Sequence, residues 1–378
     1  MFRRPLVLIV LGFLTTTGAN AQTAREGSIP SPVIEPAVVV APVEVRTDRT
    51  VTFHLWAPRA VAVGVNAGFP PVSGPDPYVM TKNHRGVWNV TVGPLPPDIW
   101  SYQFLVDGLA LGWVQFEVPA SEPQFYNERP VRRGTVHISQ YESKTLGLQR
   151  FVYVYTPPGY ENGATRYPAL YLLHPAGNGP SYWIDGGLAH VILDNLIAGN
   201  KAKPMVIVMP FGYPLASPRF GERVEYKENH TGFAADFLND LIPFVEETYR
   251  VVAHPDQRAI AGASMGGLQA LTLGLAHLDR FGWIGGFSGL GQLKSEIELN
   301  MTFAETLKSP TQINKQIGAL WFSAGDLEGR VLARNQEFST LLKQRGIRHT
   351  FVTAAGWSHQ MQSWRRNLYE FAQVLFRP

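Results

Sequence analysis

The chain of 378 residues contains no cysteine. Disulfides, thiol nucleophiles and thiolate metal sites are therefore excluded, as is a lipid anchor on an N-terminal cysteine. A one-sided charge is also lacking: 33 Lys and Arg stand against 30 Asp and Glu, a formal net charge of +3. Two of those cations, Arg3 and Arg4, lie in a segment expected to be removed, so no general attraction to nucleic acid or to an anionic membrane is expected. No apolar run reaches the ~20 residues that span a bilayer, and there is no internal repeat or low-complexity tract. What is present is a hydrophobic content of 45%, enough for a large core, in a chain long enough for two domains.

Met1 to Arg4 form a basic start, Leu6 to Leu14 a short apolar run, and Ala19-Asn20-Ala21 a small-x-small site. Residues 1–21 thus read as a cleavable secretory signal peptide with cleavage after Ala21, which places the mature protein in the periplasm or outside the cell with no membrane anchor. Residues 22–43 are rich in Pro, Ala and Val and read as an extended linker.

From Glu44 to Glu128 short alternating runs, such as Val51 to Trp56 and Val87 to Val92, are broken by Pro and Gly clusters, the pattern of a small β-sandwich. Residues 129–378 then alternate strands and helices, the mark of an α/β domain with a mostly parallel sheet. Within it Ala259 to Ala261 reads as a buried strand and Leu268 to Leu275 as a helix. Gly262-Ala263-Ser264-Met265-Gly266 sits on the turn between them, where a serine hydroxyl can stand clear at the head of a helix and flanking glycines remove colliding side chains. A serine nucleophile needs a base, and the base needs an acid to orient it. His359 follows the last expected strand and precedes the last helix, whereas His277 and His349 lie on or beside regular elements. The acid is expected in Gly325-Asp326-Leu327-Glu328, after the strand Leu320 to Ala324; Glu328, third after the glycine, is preferred and Asp326 is the alternative. An oxyanion would be met by the backbone N–H of Met265 and, because Pro175 has none, by that of Ala176. Trp183, Trp357, Phe211 and Tyr213 lie on loops expected to open toward the site, as aromatic walls or as packing for the loops themselves. The stretch from Phe211 to Gly232, with Arg219, Arg223 and Lys227 among Glu222, Glu225 and Glu228, is expected to form a local cap of mixed charge unsuited to a strongly anionic substrate.

Two resemblances are carried by these residues. Val51 to Pro58, Gly86-Val87-Trp88, Gly93 to Asp98 and Tyr102 to Gly108 resemble an early-set immunoglobulin-like domain of carbohydrate-binding-module family 48. That likeness implies either glycan binding through exposed aromatics or a spacer that packs on the second domain and helps shape its cleft. The spacer is preferred, because Trp56, Trp88 and Trp100 fall in strand patterns and Leu111-Gly112-Trp113-Val114 replaces the Asp-Pro-x-Asn such domains often carry. Val154 to Tyr160, Tyr171 to His174, Ile192 to Ile197, Gly262 to Gly267 and His359 with Trp364-Arg365 are similar to carbohydrate esterase family 1, an α/β-hydrolase group. That resemblance implies a feruloyl or acetylxylan esterase with no metal or cofactor, acting on plant polysaccharide esters. Mycolyltransferases of the same family use a glutamate as acid, which supports Glu328, and enterochelin-type siderophore esterases are similar too. Acyl transfer to a sugar and a non-catalytic glycan-binding scaffold are the remaining alternatives.

Overall fold

The computed structural model describes residues 40–69, 77–214 and 226–377. The expected signal peptide, most of the expected linker and residues 215–225 of the expected Phe211–Gly232 cap lie outside the described residues, and from Tyr226 the rest of that stretch is helical.

Nine short strands build the first layer pair: β1 (Val43–Val45), β2 (Val51–Trp56), β3 (Val63–Asn66), β4 (Tyr78–Val79), β5 (Thr81–Lys82), β6 (Val87–Val92), β7 (Asp98–Val106), β8 (Leu109–Ala110) and β9 (Val114–Val118). One sheet runs β1-β2-β6-β5 and the other β4-β3-β7-β8, with β9 on β7. Period-two alternation turns Asp98, Trp100, Tyr102 and Phe104 of β7 inward, and the two sheets share one core that includes Phe53, Phe69 and Trp100. Trp88 and Trp100 are core residues, their indole N–H groups donating to Ala57 O and Pro96 O, so neither is a platform for a sugar.

The rest of the chain is an α/β-hydrolase-type sheet of β10 (Thr135–Ser143), β11 (Leu148–Thr156), β12 (Ala169–Leu173), β13 (Val206–Pro210), β14 (Arg258–Ala263), β15 (Trp283–Phe287), β16 (Ala319–Gly325) and β17 (Thr350–Ala354). Their order is β10-β11-β13-β12-β14-β15-β16-β17; the first two pairings are antiparallel and the rest parallel. Strands β12 to β15 are buried throughout, which is why they read as continuous apolar runs. One face is covered by α1 (Tyr182–Asp185), α2 (Ala189–Ala198) and α9 (Met361–Val374). The other is covered by α3 (Tyr226–Asp236), α4 (Ile242–Thr248), α5 (Met265–Ala276), α6 (Glu296–Phe303), α7 (Pro310–Gln316) and α8 (Arg330–Gln344).

Between α3 and α4 the helical run is interrupted by a wide π-turn at Phe237–Leu241. Pro243, in the first turn of α4, has no N–H to give the preceding turn, and the ladder slips there. No helix among the described residues is long and apolar enough to cross a membrane.

The β-sandwich sits against the first turns of α9. Arg365 Nη1 donates to Asp98 Oδ1 at 2.6 Å, and Gln362 Nε2 donates to Ile99 O at 2.7 Å. Trp357, in the loop before α9, packs on the sandwich core.

Candidate active site

Ser264 joins β14 to α5 with φ 52° and ψ −114°, a conformation few residues other than glycine adopt. Two close approaches hold it there. A Cβ on Gly262 would lie 2.6 Å from the Gly266 carbonyl, and one on Gly266 would lie 2.6 Å from Leu173 O. The two glycines thus let β14, the helix start and β12 meet backbone to backbone. Ser264 N–H is given to Phe287 O and its carbonyl accepts from Leu268 N, so the strained residue is anchored on both sides.

His359 reaches across from the loop after β17 and places Nε2 2.8 Å from Ser264 Oγ. Its other ring nitrogen, Nδ1, lies 3.5 Å from Glu328 Oε1, an ion-pair distance longer than a hydrogen bond. Such contacts commonly tighten only when substrate is bound. The Glu328 side chain has no exposed surface. Its Oε1 accepts from Ser288 Oγ at 2.8 Å. Asp326 is placed differently: it is exposed, and its Oδ1 accepts the N–H of Gly356 at 2.7 Å, bracing the loop that carries His359 without touching the imidazole. His349 is bound to Ser339 and Ile347 O, and no contact joins it or His277 to Ser264.

The loop after β12 is held by a buried polar network. Gly212 N–H donates to His174 Nε2 at 2.8 Å, which fixes the tautomer: Nδ1 carries the hydrogen and donates to Pro175 O at 2.8 Å. Gln269 Nε2 donates to Gly212 O. Arg150 Nη2 donates to the carbonyls of Phe211 and Tyr213, and Tyr213 Oη accepts Gly177 N–H at 2.7 Å. Pro175 has no N–H and that of Gly177 is committed, so within this turn the exposed Ala176 supplies the one N–H with no acceptor among the described residues. Met265 N begins α5, beside Ser264.

Burial, more than the neighbouring Arg150 cation, pushes the His174 imidazole down to about 4. In the unfolded chain it would titrate near the usual ~6.5. Between those values the unfolded state binds a proton that the folded state does not, so this residue removes stability as pH falls from about 6.5 to about 4, on the order of 3 kcal/mol in all. We expect His174→Gln, which can still accept from Gly212 N–H, to flatten the dependence of urea midpoint on pH across that window. An unchanged slope would show that another group titrates there.

Of the aromatic residues placed on loops by sequence, Phe211 and Tyr213 are partly exposed and pack on the face of His174. Trp357 is partly exposed and leans on the sandwich. Trp183 is corrected: it has no exposed surface, and its Nε1 donates to Leu173 O, so it is a core residue and not a wall of the site. Two residues to which the sequence reading gave no role in the site belong here, Trp364 having been named only for the family resemblance and Ser288 not at all. Ser288 follows β15 in a left-handed conformation, φ 53°, and Trp364 in α9 stands edge-on to the His359 ring with centroids 4.9 Å apart. For Ser288 the hint in the sequence was its place just after a strand of the parallel sheet, at the strand end where such sites are built.

Residues 143–372 match the family model described as "Putative esterase". The chain belongs to this esterase family. Over 93% of its length the chain is 28% identical to an endo-1,4-beta-xylanase/feruloyl esterase of Xylanibacter ruminicola, of which it covers 48%. The chain spans about half the length of that curated relative, and 34% of an esterase of Mycobacterium tuberculosis to which it is 28% identical over 171 residues. Among solved structures, a ferulic acid esterase matches with TM-score 0.55 and 25% identity, covering 64% of this chain and 98% of that one. The enterochelin esterase of Shigella flexneri matches with TM-score 0.65 and 17% identity, a likeness of fold that covers 89% of this chain and 95% of that one.

Proposed function

We propose that the protein is an exported serine carboxylesterase that removes hydroxycinnamoyl, chiefly feruloyl, groups from plant cell-wall polysaccharide. The observation that carries the serine mechanism is the 2.8 Å approach of His359 Nε2 to Ser264 Oγ at a strained strand-to-helix turn. With Nδ1–H toward Glu328, Nε2 is an acceptor and takes the serine proton as Oγ attacks the ester carbonyl. The resulting oxyanion is met by Met265 N–H at the head of α5 and by Ala176 N–H, each donor worth on the order of 3 kcal/mol in the transition state. His359 then returns the proton to the leaving alkoxide, and water, deprotonated by the same nitrogen, releases the acid from the acyl-enzyme.

The feruloyl preference is supported by the xylanase/feruloyl esterase relative and the ferulic acid esterase structure. It is supported also by the Phe211–Tyr213 pair, 5.3 Å between centroids, beside the oxyanion loop, which suits a planar phenolic acyl group. A second reading has its own observation: the enterochelin esterase likeness extends over both the sandwich and the hydrolase sheet, which favours a catecholate siderophore ester.

Purified protein offered methyl ferulate, acetylated xylan and a catecholate siderophore ester in parallel decides between these readings. We expect serine-dependent ferulate release. Turnover confined to the siderophore ester would transfer the site to iron acquisition, acetate release alone would indicate a small acyl pocket, and silence on all three would sink the esterase reading.

A further inference from the structure

The carboxylate of Glu328 is held by partners that the proposed chemistry does not use. Its Oε1 accepts from Ser288 Oγ at 2.8 Å, and Ser288 Oγ is 3.1 Å from Trp364 Nε1. An indole N–H only donates. Ser288 must therefore receive the tryptophan hydrogen on a lone pair and point its own hydrogen at the carboxylate, so the chain Trp364 to Ser288 to Glu328 has a single polarity. All three residues are buried. Ser288 is itself fixed, with its N–H on Ser323 O and its backbone in the left-handed region. Trp364 also stands edge-on to His359, so one side chain in the first turn of α9 touches both the base and the anchor of the acid.

The same turn is gripped by the β-sandwich. Gln362 and Arg365, on either side of Trp364, bond to Ile99 O and to Asp98. Arg365 Nη2 also donates to Gly186 O, and its guanidinium lies over the Tyr126 ring at 4.8 Å. Asp98 and Arg365 are both buried. A buried ion pair adds little net stability over apolar packing, but a partner removed from it is costly, so the pair fixes one relative placement of the two layers. The sandwich reaches the site a second time through Trp357, which packs on its core while the Trp357 carbonyl accepts from Leu327 N, next to Glu328.

We propose that the β-sandwich is a working part of the ester-cleaving site: the Asp98–Arg365 pair fixes the first turn of α9, and Trp364 and Ser288, as positioning residues, pass that placement to Glu328. The proposal rests on reading Ser264, His359 and Glu328 as the catalytic residues. Trp364→Phe, Ser288→Ala and Asp98→Asn are compared with the parent on a soluble ester, each alone and in a Glu328→Gln background. Each single change is expected to lower kcat roughly tenfold with KM within about twofold, and to add almost nothing once Glu328 is Gln, since residues acting through one group are not additive. Asp98→Asn leaves the Arg365 guanidinium buried without its counter-charge and can prevent folding. Gln362→Met, which cuts the other bond to the sandwich and strands no charge, is therefore measured beside it, with a loss of roughly threefold expected on the same grounds.

Parental kcat in Trp364→Phe and Ser288→Ala would overturn the chain, as would losses equally large in the Glu328→Gln background. Parental kcat in both Asp98→Asn and Gln362→Met, with Trp364→Phe impaired, would remove the sandwich from the site. Ser264→Ala is assayed first: continued turnover there would overturn the reading of the site itself, whereas a silent Ser264→Ala beside fully active Trp364→Phe overturns only this proposal.

Discussion

Replacing Ser264 by alanine is expected to lower kcat on any ester the protein turns over by roughly 10⁵- to 10⁶-fold, with the thermal midpoint within a few degrees of the parent. The loss is large because the change removes the one atom that makes and breaks the acyl bond, while binding contacts and oxyanion donors stay in place. Those donors still support a residual rate above that in water, so the floor is not zero. Stability is little altered for two reasons. Ser264 Oγ makes a hydrogen bond to an imidazole that is itself exposed, so its loss is compensated by water. The backbone strain at φ 52° remains with alanine, which also carries a Cβ, so none of it is released. Single-turnover and steady-state assays on methyl ferulate, with a melting curve on each sample, test this. A variant retaining a hundredth of the parental kcat would mean that another nucleophile, or a bound water, performs the attack.

The elbow was legible in the sequence because its requirements are local. Gly262, Ser264 and Gly266 answer to contacts made within a few residues and to one neighbouring strand, and spacing alone encodes them. Strands β12 to β15 were legible for a similar reason, since burial on both faces leaves an uninterrupted apolar run. His359 could be placed by its position after the last strand. The network around Glu328 could not, because its bonds join residues far apart in the chain: Trp364 to Ser288 across 76 positions and Arg365 to Asp98 across 267. No periodicity or spacing records such a contact. Edge strand β10 was missed because most of its residues are exposed or half-buried and no apolar run marks it. Trp183 misled for the opposite reason: an aromatic on a loop reads as a pocket wall until the backbone shows its indole N–H turned into the sheet, onto Leu173 O.

The second large effect separates the two carboxylates of the Gly325–Glu328 turn. Glu328→Gln is expected to lower kcat by roughly 10³- to 10⁴-fold, and Asp326→Asn by no more than about threefold. At position 328 the side chain is sealed from solvent, one oxygen takes the Ser288 hydrogen, and that same oxygen lies nearest His359 Nδ1. An amide there has one oxygen and one NH₂. In one orientation the amide oxygen takes the place of that shared oxygen and still accepts from Ser288 and from Nδ1–H, but no charge remains to stabilise the imidazolium that forms as Nε2 takes the serine proton. In the other the NH₂ takes that place and meets Nδ1, which must then present a lone pair while Nε2 carries the hydrogen, a tautomer that cannot take the serine proton. At position 326 an asparagine keeps the oxygen that accepts Gly356 N–H, so the loop holds its shape. Steady-state kcat on one ester, measured for both variants at the same pH, tests the assignment. Loss of three orders of magnitude in Asp326→Asn with Glu328→Gln near parental would mean that the turn rearranges on binding substrate and exchanges its carboxylates. The physical asymmetry argues for the first outcome: solvent can take over the charge that Asp326 presents at the surface, whereas behind Ser288 and Trp364 only the imidazole is placed to answer the charge of Glu328.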